Sequence, residues 1–264
     1  MNDSYVLGKN KTRFEIAEFP KIDSNEKIGI LFQGGIESTL LALMAKEIYG
    51  IDNVVFILIT ANAVLGYKND SNKLDILRKT FQDSVDNIGG THTVELGDDA
   101  LNRHNLSNSA LKKLVSKYGS KIKFVLAGYN KVYEESVNLL KDSGWSRGFI
   151  TNDKLDGYLE QNSKKYPELY NHVKKQNGKI FGVSKHIGFE QISTDYHTNV
   201  RPFRNLNLSE IIDLYGKLNL ISYLYKTSSC DVDLGNCGIC DNCHRRKSAF
   251  QDSSVSDLTK YTFN

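Results

Sequence analysis

The sequence predicts an α/β fold organised around an open parallel sheet. Short apolar, β-branched runs alternate with segments of helical spacing. The first run ends at paired glycines that lead straight into a helix. A third observation, four cysteines confined to one stretch near the C-terminus, predicts a small appendage closed by metal.

The elements follow in order. Lys27–Phe32 (KIGILF) is the first core strand and runs into Gly34-Gly35. From Ser38 to Tyr49, Leu40, Leu41, Leu43, Met44 and Ile48 recur at helical spacing, and Gly50 ends the helix. Asn53–Thr60 is apolar and β-branched throughout, as a strand buried on both faces would be. Asn72–Val85 reads as a helix, His92–Leu96 as a third strand and Ser107–Tyr118 as a helix. Lys121–Ala127 is a fourth strand that leads into Gly128-Tyr129-Asn130. Strands alternating with helices imply right-handed crossovers, and ligands of such sheets sit at the carboxyl ends of the strands. Ser209–Leu220 is an amphipathic helix with Ser209 as its expected cap.

Three parts are therefore expected. Residues 1–26 form an N-terminal extension, in which the alternation of Thr12–Phe19 suggests a small hairpin. Residues 27–200 form the main domain, with a loop-rich insertion over 142–200 that carries helices at Asp153–Gln161 and Pro167–Gln176. Residues 201–264 carry the last helix and the cysteines. With 264 residues, 40% of them hydrophobic, the chain can bury a sizeable core. A net charge of +3 neither demands nor excludes nucleic acid. No apolar run approaches membrane-spanning length, and the polar N-terminus lacks a signal-peptide core, so a reducing cytoplasm is expected.

Cys230, Cys237, Cys240 and Cys243 follow the spacing C-x6-C-x2-C-x2-C. Four thiolates with short C-x2-C arms fit structural zinc, and Gly238 lets the chain turn between them. Two disulfides are the alternative; they need an oxidising compartment and usually staple distant segments. A closed four-thiolate site leaves no ligand position for catalysis, which places the chemistry elsewhere.

Gln33-Gly34-Gly35-Ile36-Glu37-Ser38-Thr39 is the second candidate. Paired glycines let phosphate oxygens approach the backbone, and the first N–H groups of a helix attract an anion. Ser38 and Thr39 can add hydroxyl donors, and Glu37 can help hold a phosphate-bound Mg2+. An ordinary strand-to-helix turn is the alternative. Both the Walker pattern and G-x-G-x-x-G are absent here.

Together these residues resemble the pyrophosphate-loop ATPases, whose motif is S-G-G-x-D-S after the first strand. The C-terminus narrows the resemblance. Arg201-Pro202-Phe203, Ser229-Cys230 and Cys237-Gly238-Ile239-Cys240-Asp241-Asn242-Cys243 are similar to the 7-cyano-7-deazaguanine synthases. That family continues with a basic residue and a small-aromatic pair, places taken here by Arg245 or Arg246 and by Ala249-Phe250. The resemblance implies a Rossmann-like open parallel sheet of the pyrophosphate-loop type with a C-terminal helical zinc-binding subdomain. It implies an ATP-dependent C–N ligase: a 7-carboxy-7-deazaguanine carboxylate is adenylated, ammonia displaces AMP, and a second activation dehydrates the amide to a nitrile. ATP, Mg2+ and Zn2+ are the implied cofactors. By position, Phe32, Gln33, Gly34, Gly35, Ile36, Glu37, Ser38, Thr39, Leu40, Leu41 and Ala42 would hold ATP, with Glu37 and Ser38 the catalytic candidates. Thr60 and Asn62 would lie near the adenosine, Gly128 near ATP or the acceptor, and the four cysteines would hold zinc. The implied partners are a deazaguanine carboxylate and ammonia, with a macromolecular acceptor as a variant, in a homodimer.

The chain departs from the pattern at two loop positions. Gln33 replaces the family's first serine and Glu37 its aspartate. The family's middle substrate segment has no match in Asn130–Ser136. Three readings follow: a deazaguanine-type ligase, a tRNA-thiolating enzyme of the same nucleotide fold, and a binding module that keeps the fold without the chemistry. The second generally needs a further catalytic cysteine or an iron–sulfur cluster, and all four cysteines here are committed. Arg201 is a candidate for an anion; His244 is expected outside the metal's ligand set, and His186, His197 and Trp145 read more readily as surface or packing residues.

Overall fold

The alternation of apolar runs and helices resolves into two sheets. The computed structural model describes residues 1–59, 71–96, 116–118, 121–142, 152–175, 198–230 and 236–263. An antiparallel hairpin pairs β1 (Ser4–Leu7) with β2 (Thr12–Glu15). The main sheet holds β3 (Lys27–Phe32), β4 (Val54–Ile59), β5 (Thr93–Leu96), β6 (Ile122–Leu126) and β7 (Thr198–Val200), in the order β5-β4-β3-β6-β7 with every pair parallel. The chain moves outward from β3 to β4 and β5, then crosses to β6 on the other side of β3. The switch point of this sheet therefore lies between the carboxyl ends of β3 and β6.

The helices are α1 (Ile36–Tyr49), α2 (Ser71–Ile88), α3 (Lys131–Asp142), α4 (Asn152–Gln161), α5 (Pro167–Lys175), α6 (Leu208–Lys217), α7 (Ile221–Leu224) and α8 (Asp241–Asp252). β3 and β4 are buried on both faces, which explains their unbroken apolar runs. Phe32 and Phe56 meet edge to face at 5.5 Å across the two strands. α1 packs on β3, β4 and α6, and its Leu40, Leu41 and Met44 join Ile211, Leu214 and Tyr215 in one core. Gly50, at φ 79°, ends α1 in a conformation that favours glycine.

Several boundaries differ from the sequence reading. α1 begins at Ile36 rather than Ser38, because Gly35 occupies the N-cap. α6 is capped by Asn207, not Ser209: its side chain accepts from Glu210 N at 3.0 Å, while Glu210 Oε2 accepts from Asn207 N at 2.9 Å. Thr12 of the hairpin also donates to the buried Glu210, which ties residues 4–15 to α6. The hairpin lies upstream of its expected place, with Thr12–Glu15 as its second strand and a 3-10 turn at Ile16–Glu18. α3, α8 and the three-residue β7 were not expected: α8 and β7 carry no strong periodicity, whereas α3 is amphipathic and its signal was missed. Most of the helix expected over Ser107–Tyr118 lies outside the described residues, as does Thr60, the last residue of the second expected strand. No helix among the described residues is long and apolar enough to cross a membrane.

One buried acid joins α3 to α5. Glu135 accepts from Leu169 N at 2.7 Å, and burial raises its carboxyl above the usual range, with that N–H opposing. A raised folded-state value means that the unfolded chain loses this proton first as pH rises. The carboxyl's contribution to stability is therefore fullest below about pH 4.5 and declines through the mildly acidic range. Glu135→Gln keeps the acceptor and removes the charge. Urea midpoints of the variant should match wild type at pH 4 and exceed it at pH 7; a gap of the opposite sign would refute this account.

Candidate active site and metal centre

The turn after β3 meets the turn after β6 at the switch point. Gly34 sits at φ 70°, Gly35 is the N-cap of α1, and no side chain caps that helix start. The first N–H groups of α1 thus face the carboxyl end of the sheet without a capping side chain. From β6, Gly128 comes so close that a Cβ would stand 2.9 Å from Glu37 C and 3.0 Å from Ser38 N. Only glycine permits that approach. The loop is further held by Tyr215, fully buried, whose hydroxyl donates to Ile36 O at 2.8 Å. Burial raises the Tyr215 hydroxyl well above its ordinary range, and the nearby Glu37 adds to the shift.

The predicted loop residues separate into two groups. Phe32, Ile36, Leu40, Leu41 and Ala42 are fully buried, so their side chains belong to the core and any ligand contact from them runs through backbone. Gln33 is exposed. Ser38 closes the loop locally: its hydroxyl donates to Gly35 O at 3.3 Å and accepts from Gln33 N at 3.3 Å. Thr39 is buried beside it. Glu37 is half-buried; its Oε1 accepts from Asn130 Nδ2 at 3.1 Å and pairs with Arg245. Thr60, Asn62, Trp145, His186 and His197 lie outside the described residues. Arg201 pairs with Glu134 at 2.6 Å and lies over the Tyr129 ring at 5.8 Å.

The four cysteines converge. Cys237 Sγ lies 3.8 Å from Cys243 Sγ, Cys240 Sγ lies 3.9 Å from Cys230 Sγ, and all four sulfurs fall within 4.8 Å of one another. None is in a disulfide. A tetrahedron of sulfurs about 2.3 Å from one ion has edges of about 3.8 Å, so this set fits a single metal ion. A four-iron cluster would spread its thiolates further, because each binds a different iron. Burial pushes the Cys237 thiol up, but N–H groups of Ile239 and Cys240 and the thiols of Cys230 and Cys240 outweigh it, bringing it down to about 7. Cys243 is pushed up by burial and by its sulfur neighbours. Four thiolates this close cannot all carry charge without a cation among them. His244 is exposed and outside this group.

Two arginines follow the last cysteine, and sequence reasoning did not separate them. Adjacent helical residues point about 100° apart. Arg246 is fully buried, and its guanidinium donates to Leu224 O, to Thr227 O and Oγ1, to Ser229 Oγ and to Thr259 Oγ1. Arg245 turns the other way and reaches Glu37. The C-terminal tail straps the cysteine knuckle: Thr262 N donates to Asn236 O at 2.9 Å and Phe263 N to Cys237 O at 2.8 Å.

Fold and site define a class: an open parallel α/β protein with a glycine loop at its switch point and, against that loop, four thiols that could hold a metal ion. Among curated proteins, the chain is 39% identical over 69 residues to the 7-cyano-7-deazaguanine synthase of Methanococcus maripaludis. That match spans 24% of this chain and 30% of the relative, and it accords with the resemblance read from the loop and the cysteines. Among solved structures, the U34-tRNA thiolase NcsA from Methanococcus maripaludis with its [4Fe-4S] cluster aligns with a TM-score of 0.43 at 14% identity, covering 92% of this chain and 67% of that one. No family model matches the chain.

Gly238 tests the knuckle. It sits at φ 88°, and a Cβ there would overlap the carbonyl oxygen of Phe263. Gly50 has a similar φ of 79° but open space around it. Gly50→Ala should cost the backbone strain alone, about 1–2 kcal/mol. Gly238→Ala should cost more in denaturant unfolding and should expose the tail to proteolysis. Equal costs at the two positions would remove the tail from the account.

Proposed function

We propose that the chain is an ATP-dependent enzyme that activates a carboxylate of the 7-deazaguanine type as its adenylate. The observation that supports this reading best is the uncapped glycine turn at the switch point, set directly against the four-thiol group. The partial identity to a 7-cyano-7-deazaguanine synthase supports the substrate class.

In this reading the backbone at Gly34 and Gly35 and the first turn of α1 hold the leaving pyrophosphate, with the Ser38 and Thr39 hydroxyls beside it. The Glu37 carboxylate would help to hold a Mg2+ ion beside the phosphates. A substrate carboxylate oxygen attacks the α-phosphorus, the bond to the β-phosphate breaks, and an acyl-adenylate forms. Ammonia adds to the acyl carbon and AMP leaves, giving the amide. A second ATP activates the amide oxygen, and its departure with AMP leaves the nitrile. Because the loop binds and aligns, its contribution is positioning and charge stabilisation. The cysteines hold one zinc and fix the C-terminal segment without touching substrate. Four reduced thiols suit a cytoplasmic protein.

The departures at Gln33 and Glu37 support a second reading, a diverged relative that joins its deazaguanine to a macromolecule or binds nucleotide without turnover. Incubation with ATP, ammonium and 7-carboxy-7-deazaguanine, followed by product mass spectrometry and AMP assay, separates them. AMP with an amide or nitrile product supports the ligase. ATP binding without AMP overturns it in favour of the second reading.

Two further outcomes are expected. Metal analysis should find one zinc per chain, and Cys240→Ser should lower that figure and loosen the C-terminal segment; an intact wild type that holds no zinc would contradict this. Gly35 has φ −77° and only ordinary contacts around the space a Cβ would fill, 3.8 Å from Ser228 O. Gly35→Val should therefore keep the fold, by circular dichroism, while calorimetry shows ATP binding lost. Wild-type ATP affinity in the folded variant would move the nucleotide away from this loop.

A further inference from the structure

Both arms of the cysteine group end on the glycine loop. In one arm, Ser228, two residues before Cys230, donates its N–H to Gly34 O at 3.0 Å. In the other, Cys240 occupies the N-cap position of α8, Cys243 stands in its first turn, and Arg245, two residues further on, makes the ion pair with Glu37. Both side chains of that pair are largely shielded, at 20% and 21% exposure, so the interaction is screened less than a surface pair. Glu37 Oε1 takes both Arg245 and Asn130, while Oε2 faces Gly35, 3.9 Å from where a Cβ of that glycine would stand.

We propose that Arg245 is a positioning residue that couples the cysteine metal centre to the nucleotide loop. Metal on the four thiolates strengthens nucleotide binding, and nucleotide strengthens metal binding. The coupling rests on the nucleotide reading of the loop given above.

The physical path is short. The body of α8 is pinned by Arg246, whose donors reach Leu224, Thr227 and Ser229 independently of the thiols. The first turn of α8 hangs instead on convergence of the four sulfurs, which a cation would enforce. Without it, neighbouring thiolates repel and the first turn loses its tie. Arg245 then loses its fixed reach to Glu37, while Ser228, flanked by the Arg246 partners Thr227 and Ser229, keeps its place. The consequence for a ligand is electrostatic. A half-buried Glu37 without its guanidinium repels an incoming polyphosphate, and its second oxygen is no longer aimed at the loop.

The test uses the full zinc-loaded chain, with zinc affinity read by chelator competition and ATP affinity by calorimetry, both in excess Mg2+. In wild type, saturating ATP should raise zinc affinity on the order of tenfold, and zinc should raise ATP affinity by the same factor, since linkage is reciprocal. In Arg245→Gln and in Glu37→Gln, zinc should still bind at one per chain while the factor falls to near one. If the stripped chain unfolds, chelator competition on loaded protein with and without ATP still yields the factor. An unchanged factor in Arg245→Gln overturns the proposal. So does a variant with weaker ATP binding but intact linkage, which would make Arg245 a direct ligand. Wild type that binds ATP indifferently to zinc sinks the coupling alone; loaded wild type that binds no ATP sinks the nucleotide reading and the coupling together.

Discussion

The start of α1 depends on a backbone-to-backbone approach that tolerates no side chain. Gly128, at the end of β6, lies against Glu37 and Ser38 at the distance of bare peptide contact. The two turns of the switch point share one small space because of it, and much of the site follows. Asn130, two residues past Gly128, is carried within hydrogen-bond reach of Glu37. The N-terminus of α1 is held against the sheet while its N–H groups stay clear of side-chain caps. Parallel strands supply this geometry generically, but the tightness is particular to a glycine at 128.

Around that contact the protein arranges hydrogen bonds rather than bulk. Tyr215 grips Ile36 O from α6, Ser228 grips Gly34 O from the segment before the cysteines, and Ser38 closes the turn on itself. Each such bond is worth only about 0.5–1.5 kcal/mol net, yet a buried partner left unmatched costs about 1–3 kcal/mol. A loop held in this way keeps its shape chiefly because alternatives would orphan buried groups. The N-terminal hairpin plays a similar part at one remove, since Thr12 and Gly8 both lie against Glu210, which with Asn207 caps the helix that carries Tyr215.

Charge organises the C-terminal segment. Arg246 is taken wholly out of water and surrounded by carbonyl and hydroxyl oxygens, with the Phe250 ring 5.5 Å from its guanidinium carbon. Burial lowers its basicity, while Tyr261 and Asp257 work the other way. A cation so placed needs every donor matched, and that requirement fixes the relation of α8 to the turn at Leu224–Ser229. Arg245, one residue earlier, is spent on the loop. One helix therefore serves the thiol group with its first turn, the core with one arginine and the glycine turn with the other.

Much of this was legible in the sequence. Unbroken apolar runs at 28–32 and 54–59 state that these strands are buried on both faces, because no alternation is possible when no face meets water. Cysteine spacing determined which thiols converge, since a chain so short between ligands has few other ways to fold around an ion. The Gly34-Gly35 pair marked the turn. β7 and α8 were not legible: three residues carry no period, and a helix as polar as DNCHRRKSAFQD shows no apolar stripe. The cap of α6 moved from Ser209 to Asn207 because a capping box needs its acid three residues on, and Glu210 fixes that count. What tertiary structure alone decided is the partnership of residues far apart in the chain. Arg245 with Glu37, Gly128 with Ser38 and Tyr215 with Ile36 are set by the order in which parallel strands cross over. Local sequence specifies an element's period and its ends, but which ends meet is decided by how the sheet closes its core.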